Sequence, residues 1–307
     1  MTQELQRVAV IGTGIMGGHI ARRLAAAGRE VIAWNRDISK LRALSAHGVA
    51  EAESPIVALT GCDAVIVMLS TGPVVDEVLF GARGGERAPV DVLRPGAVVV
   101  VMSSIPVDTS RAQARLLAGR GIDYVDAPVS GGEAGARDGR LAIMAGGRAD
   151  VIARICPLLA PLGRVTRVGQ VGSGQLAKLA NQIIVGAGVA AIAEALHFAR
   201  VGGADPAAVR DALAGGFADS TLLRQHGERM VHGQFAPGGS ADHQLKDLRT
   251  AESTAAALGL ELVLLTAARS LFEDMVRNGD GGLDHSGVIR EVARRMSQAT
   301  TCATRDA

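Results

Sequence analysis

Aromatic side chains are nearly missing from this 307-residue chain, which has five Phe, one Tyr and one Trp. Stacking platforms for single-stranded nucleic acid need several such rings, so that class of ligand is excluded. There is no excess of one charge either. Against 32 Lys and Arg stand 31 Asp and Glu, for a net charge of +1, and the basic footprint of a duplex-binding or anionic-membrane-binding protein is absent. Cysteine is sparse. Cys62, Cys156 and Cys302 form an odd, widely spaced set with no CxxC pair, which excludes a disulfide framework and a thiolate zinc site. The seven histidines include no HExxH. Asp242-His243 and Asp284-His285 read as helix caps or junction contacts, so no metal is expected. The longest apolar run, Ile183 to Ala193, is about half of the roughly 20 residues that a membrane span requires. The first residues pass almost at once into a strand-like RVAVIG, without the basic start, apolar stretch and cleavage site of a secretory signal. A cytoplasmic globular protein is expected, with neither nucleic acid nor membrane as partner.

Glycine, alanine and short β-branched runs are plentiful. RVAVIG, EVIAW (30–34), AVIVML (64–69), AVVVVM (97–102), IDYVD (122–126) and RLAIMAG (140–146) alternate with amphipathic segments. Near-continuous apolar strands separated by helices predict a parallel sheet covered on both faces. Beyond Gly174 the β-rich runs stop. One helix over 175–201 and further helices near 205–214, 220–232, 242–258, 262–278 and 284–297 are predicted, with Gly or Pro at the breaks. The reading is thus two domains, 1–170 and 171–307, with a mobile-looking Gly-rich loop at 81–89.

At the end of the first strand, VAVIGTGIMGGHIARRLAAAG sets Gly12, Gly14 and Gly17 in the GxGxxG spacing. A strand before it and a helix after it make this a dinucleotide loop: tight turn, close backbone approach to a pyrophosphate, and close helix packing, in that order. About 20 residues on, where an acidic residue would accept from the ribose 2′-hydroxyl of NAD, the chain reads Asn35-Arg36-Asp37. A guanidinium binds a 2′-phosphate that a carboxylate would repel, so NADP is favoured over NAD. Asp37 is also placed to cap the helix that begins ISKLRAL.

Two further segments carry chemistry. Ser130, Gly131 and Gly132 follow the IDYVD strand, on the side where open α/β sheets bind ligands, and their amides and hydroxyl suit a carboxylate; the alternative is an ordinary flexible loop. In GSGQLAKLANQ (172–182), Lys178 shares a helix face with Asn181 and Gln182. Apolar neighbours suit such a lysine to proton exchange with a hydroxyl or carbonyl oxygen, and the alternative is a lysine snorkelling to solvent.

Together GTGIMG, MSSIP (102–106), DAPVSGGEAGARDGRLAIMAGG (126–147), GSGQLAKLANQ, HQLKDL (243–248) and DHS (284–286) resemble the β-hydroxyacid dehydrogenase family, over nearly the whole chain and in the family's order. The resemblance implies an α/β Rossmann-type doubly wound sheet followed by an all-α C-terminal domain. It implies an NAD(P)-dependent oxidoreductase that interconverts a small 3-oxo acid and its 3-hydroxy acid. Lys178 matches the general acid and base, Ser130, Gly131 and Gly132 the substrate-carboxylate turn, and Asn181 with Gln182 the polar pair that orients substrate. Gly12, Gly14, Ile15, Met16, Gly17, Asn35, Arg36, Met68 and Leu69 match cofactor contacts. Ser104 matches a hydroxyl near the nicotinamide ribose, and Lys246 a lysine of the second domain that reaches the cofactor. Val101, where relatives commonly have aspartate, and the early Pro106 depart from the pattern on the cofactor side. The resemblance further implies a homodimer or homotetramer. Two rival readings keep the fold. Imine reductases share it, but the Ser-Gly-Gly turn favours a carboxylate substrate. A non-catalytic NADP-binding protein is expected to lose the lysine.

Overall fold

The computed structural model describes residues 5–82, 87–236 and 238–303. Residues 83–86 of the expected Gly-rich loop and the side chain of Cys302 lie outside the described residues. Two compact units divide the chain, Met1–Lys178 and Leu179–Ala307.

The first unit alternates strands and helices: β1 (Arg7–Ile11), α1 (Ile15–Ala26), β2 (Glu30–Trp34), α2 (Ser39–Ser45), β3 (Ala50–Glu51), α3 (Pro55–Leu59), β4 (Ala64–Val67), α4 (Gly72–Phe80), β5 (Val98–Val101), α5 (Val107–Ala118), β6 (Asp123–Asp126), β7 (Val129–Ser130), α6 (Gly132–Asp138), β8 (Leu141–Gly146), α7 (Ala149–Leu159) and β9 (Gly163–Gly169). The sheet runs β3-β2-β1-β4-β5-β6-β8-β7, with β9 paired to β8. From β3 to β6 every pairing is parallel. Val98, Val99, Val100 and Val101 are fully buried, as a strand covered on both faces requires. Alternate residues feed two cores. Val8, Val10, Ile66, Val98 and Val100 pack with Ile20 and Leu24 of α1 and Ile155 of α7 on one face. On the other, Ala9, Ile11, Val67, Val99 and Val101 pack with Val75 and Leu79 of α4 and Leu117 of α5. Each buried Val, Ile or Leu among them contributes about 1.5–3 kcal/mol by leaving water.

The sheet departs from the all-parallel expectation at its far end. β8 is antiparallel to β6 and β7, and β9 parallel to β8. Only the two residues Ala127 and Pro128 separate β6 from β7, and the short α6 returns the chain to β8, too little for a parallel crossover. β9 escapes the hydrophobic pattern because it is an edge strand with Arg164 and Arg167 among its exposed residues.

The helix α8 spans Ser173–Val201, 29 residues. By length and composition it is apolar enough to cross a bilayer, with Val189, Ala193 and Leu196 buried. Its first six residues, through Lys178, belong to the first unit, so the chain divides later than the expected 170/171. The second unit is all helical: the rest of α8, then α9 (Pro206–Leu213), α10 (Glu228–His232), α11 (Ala241–Ala257), α12 (Val263–Met275) and α13 (Val288–Ala303). Glycines in α8 serve this unit's packing. A Cβ on Gly186 would come within 2.9 Å of Gln244 Nε2 and Leu248 Cδ2, and one on Gly188 within 2.8 Å of Leu222 Cδ1.

Candidate active site

The three glycines of the first loop do three separate jobs. Gly12 takes φ +94°, and a Cβ there would lie 2.3 Å from the Met68 carbonyl oxygen; its amide donates to Trp34 O at 2.8 Å. A Cβ on Gly17 would lie 1.9 Å from the Gly12 carbonyl oxygen, so α1 approaches the loop as only glycine allows. A Cβ on Gly14 would meet nothing within 4 Å. No side chain caps α1, and its first turn holds no acid. An open backbone at Gly14 before an uncapped, positive helix end, flanked by exposed Ile15 and half-buried Met16, fits a dinucleotide pyrophosphate.

At the end of β2 the acid and the base separate. Asp37 Oδ1 accepts from Ser39 N at 3.1 Å and from Ser39 Oγ at 2.6 Å, and these bonds hold its carboxyl below the ordinary range. Asn35 Nδ2 donates to the Asp37 carbonyl at 3.2 Å. Arg36 is exposed and has no side-chain partner among the described residues. The carboxylate is thus committed to its own helix start, while the guanidinium is available.

Met68 and Leu69 follow β4 and are half-buried. Leu69 N donates to Ser103 Oγ at 2.7 Å, so the buried Ser103 ties the ends of β4 and β5 together. Its neighbour Ser104, the serine singled out in the sequence, is half-buried.

Ser130 ends β7, opposite Ala142 of β8. Gly131 and Gly132 follow with φ of +134° and +60°, a turn that L side chains rarely adopt. α6 starts there and packs against α1. Arg23 of α1 donates from Nε to the Pro161 carbonyl at 2.6 Å and from Nη1 to the Arg137 carbonyl at 3.0 Å, and His19 Nε2 lies 3.4 Å from Glu133 Oε1. The helices that open at the glycine loop and at the Ser130 turn therefore lie side by side.

Lys178 is half-buried on the second turn of α8. The first turn is held by residues that sequence reasoning missed. Asp126, fully buried at the end of β6, accepts from Gly172 N on Oδ1 and from Gln175 N on Oδ2, both at 2.8 Å. Burial pushes its carboxyl up to about 6 in spite of these amide donors. Gln175, 1% exposed, accepts from Ile105 N at 3.1 Å and donates to the Ser103 carbonyl at 2.9 Å. The available signal was an acid closing an apolar strand and a glutamine inside a Gly-flanked helix start.

In the second unit Gln182 is buried. Its Nε2 donates to Gln244 Oε1 at 3.1 Å and to Asp247 Oδ2 at 2.7 Å, and Asp247 Oδ1 lies 3.1 Å from Lys246 Nζ. Gln182 and Lys246 are brought together through Asp247. Half-buried Asn181 donates to Gln182 Oε1 at 2.8 Å.

His226, Asp284 and His285 place ligating atoms within 4.8 Å of one another. The carboxylate is already committed. Asp284 Oδ1 accepts from Ser286 N and Oγ, Oδ2 accepts from the amides of Gly238 and Gly239, and Arg229 lies at 3.0 Å. A cation there would compete with a guanidinium. The motif DHS thus acts as the cap of a short turn.

Comparison with known proteins extends this picture. Residues 7–172 match the family described as the NAD binding domain of 6-phosphogluconate dehydrogenase, and residues 172–292 match the NAD-binding domain of NADP-dependent 3-hydroxyisobutyrate dehydrogenase. The chain is 43% identical over 288 residues to 2-hydroxy-3-oxopropionate reductase of Escherichia coli (strain K12), covering 92% of this chain and 96% of that protein. The solved structure of Mycobacterium tuberculosis 3-hydroxyisobutyrate dehydrogenase with L-serine superposes with a TM-score of 0.85 at 29% identity, over 94% of this chain and 99% of that one. Psf3 in complex with NADP+ and 2-OPP superposes with a TM-score of 0.83 at 25% identity, over 93% and 99%.

Proposed function

The chain belongs to the β-hydroxyacid dehydrogenase family of NAD(P)-dependent oxidoreductases, and from that premise we propose that it reduces tartronate semialdehyde or a close 3-oxo acid to the 3-hydroxy acid with NADPH, and runs the reverse reaction. The observation that carries this reading is that Lys178 belongs to the same compact unit as the glycine loop and the Ser130 turn. Proton donor, cofactor cradle and carboxylate anchor are parts of one body.

NADPH, when bound, supplies the hydride. Gly14 with the amides of Ile15 and Met16 would hold its pyrophosphate in the turn that Gly12 and Gly17 permit, and Arg36 its 2′-phosphate. The Ser130 hydroxyl and the Gly131-Gly132 amides hold the substrate carboxylate, which fixes the aldehyde for reaction. Lys178 Nζ gives a proton to the carbonyl oxygen as negative charge develops on it, and takes that proton back in the oxidative direction. The likeness to a relative solved with L-serine, itself a small 3-hydroxy carboxylate, supports the substrate class, and the likeness to an NADP+ complex supports the cofactor. The protein is proposed to work in the cytoplasm as a homo-oligomer.

The test is oxidation of NADPH and of NADH by the purified protein with tartronate semialdehyde, methylmalonate semialdehyde, succinate semialdehyde, glyoxylate and a cyclic imine. The expected result is highest kcat/KM for tartronate semialdehyde with NADPH. Turnover of the imine alone, or a preference for NADH, would overturn the proposal.

A further inference from the structure

We propose that Asp126 and Gln175 are positioning residues for Lys178, clamping the first turn of α8 to the ends of β5 and β6 so that the amino group is held in register with the cofactor side of the site. The inference rests on the role of Lys178 proposed above.

The start of a helix is a ready anion site, because its first amides lack partners. At α8 that place is filled by the protein's own carboxylate. Asp126 bonds the amides of Gly172 and Gln175, one with each oxygen, so the helix can neither slide nor rotate about its axis without losing a charge-assisted bond. The glycines of GSGQLAK permit this approach. A Cβ on Gly174 would lie 2.4 Å from the Met144 carbonyl and 2.5 Å from the Asp126 carbonyl, and one on Gly146 would lie 2.6 Å from Asp126 Oδ1.

Gln175 makes the second attachment, with both ends of its amide, to Ser103 and Ile105. These residues flank Ser104, the residue assigned to the nicotinamide ribose side. Ser103 is bonded in turn by the Leu69 amide. One network thus runs from the loops after β4 and β5 through Gln175 to the helix that carries Lys178, three residues on. A single uncharged capping residue would suffice to end an ordinary helix. Here a carboxylate is buried at a cost, and a second buried side chain repeats its work, as expected where orientation and not merely helix formation is required.

A double-mutant cycle tests the proposal, using Asp126→Asn, Lys178→Ala and the pair in the full-length enzyme, with kcat, KM for the semialdehyde and NADPH Kd measured for each. Asp126→Asn is expected to lower kcat by about 10–100-fold, the range that misplacement by an ångström produces, with NADPH Kd and KM changed less than about threefold. In the pair, kcat is expected to match that of Lys178→Ala alone, because two changes that act through one group do not add. Multiplying losses, or normal turnover of Asp126→Asn, would overturn the clamp and leave the role of Lys178 standing. Near-normal turnover of Lys178→Ala would instead remove that role and the clamp with it. Should Asp126→Asn fail to bind NADPH, Gln175→Met replaces it in the same cycle, keeping the volume while removing both amide bonds, with the same outcomes expected and excluded.

Discussion

Arg36 and Asp37 are adjacent, oppositely charged and both exposed, yet their partners give them different work. Asp37 spends one oxygen on Ser39 at the start of α2. Arg36 has no such commitment among the described residues, and its guanidinium can take a phosphate in two-point fashion. Arg36→Ala is therefore expected to weaken NADPH by about 1.5–3 kcal/mol, the usual loss of a hydrogen bond to a charged group, or roughly 10–150-fold in Kd. NADH, which lacks the 2′-phosphate, is expected to change little. Fluorescence titration of both cofactors measures this, and equal weakening would show that Arg36 does not read the phosphate. The same contrast separates Gln182 from Asn181. Both were candidates on one helix face, and only the structure shows that Gln182 is packed on Gln244 and Asp247 while Asn181 is bonded to Gln182 itself.

At the scale of the element, the loop from β1 to α1 makes a prediction that spacing alone cannot. Gly14 and Gly17 are equal members of GxGxxG, but their surroundings differ. Alanine favours a helix interior over glycine by about 1 kcal/mol, yet at position 17 its Cβ would sit 1.9 Å from a backbone oxygen, and relief of such crowding costs about 1–3 kcal/mol. Gly17→Ala is expected to lower Tm and, with it, cofactor binding. At position 14 the Cβ enters open space, so Gly14→Ala is expected to change stability by less than about 1 kcal/mol while weakening NADPH at least about tenfold, because the pyrophosphate requires that space. Thermal melts with and without NADPH distinguish the two, and unchanged NADPH affinity in Gly14→Ala would remove the pyrophosphate from the loop. Elements were legible where one local pattern decided them: the apolar β1, β2, β4, β5, β6 and β8, and the long helices of the second unit. β3 and β7 have two residues each and β9 is charged, so none had a periodicity to read. The glycine loop and the Ser130 turn were legible because each sets its glycines at a fixed place after an apolar strand, and Lys178 because lysine is scarce in this chain, at 40, 178 and 246 alone. Asp126, Ser103 and Gln175 were not, because their meaning lies in partners 46, 34 and 70 residues away.

At the scale of the molecule, the second unit leaves more apolar surface in water than its folding accounts for. Leu258, Leu260, Val263 and Leu264 lie close in sequence around the start of α12 and are 63, 51, 80 and 69% exposed. Ile184, Phe198 and Val201 of α8 and Phe217 are also exposed. A soluble monomer seldom carries so many large apolar side chains in one short stretch unless something covers them. A second copy of the chain is the proposed cover, which needs about 800 Å² from each partner for a stable interface. Light scattering after gel filtration is expected to give at least twice the 31.5 kDa of one chain. The double substitution Val263→Asp with Leu264→Asp replaces two exposed groups, so folding of the unit should survive while two charges enter the interface unpaired, at several kcal/mol per association. The variant is expected to run nearer 31.5 kDa and to lose the rise of Tm with protein concentration that an oligomer shows by mass action. A wild-type protein of 31.5 kDa at micromolar concentration would contradict the oligomer, and a variant with unchanged mass would move the interface to the other exposed residues, those of α8 and Phe217.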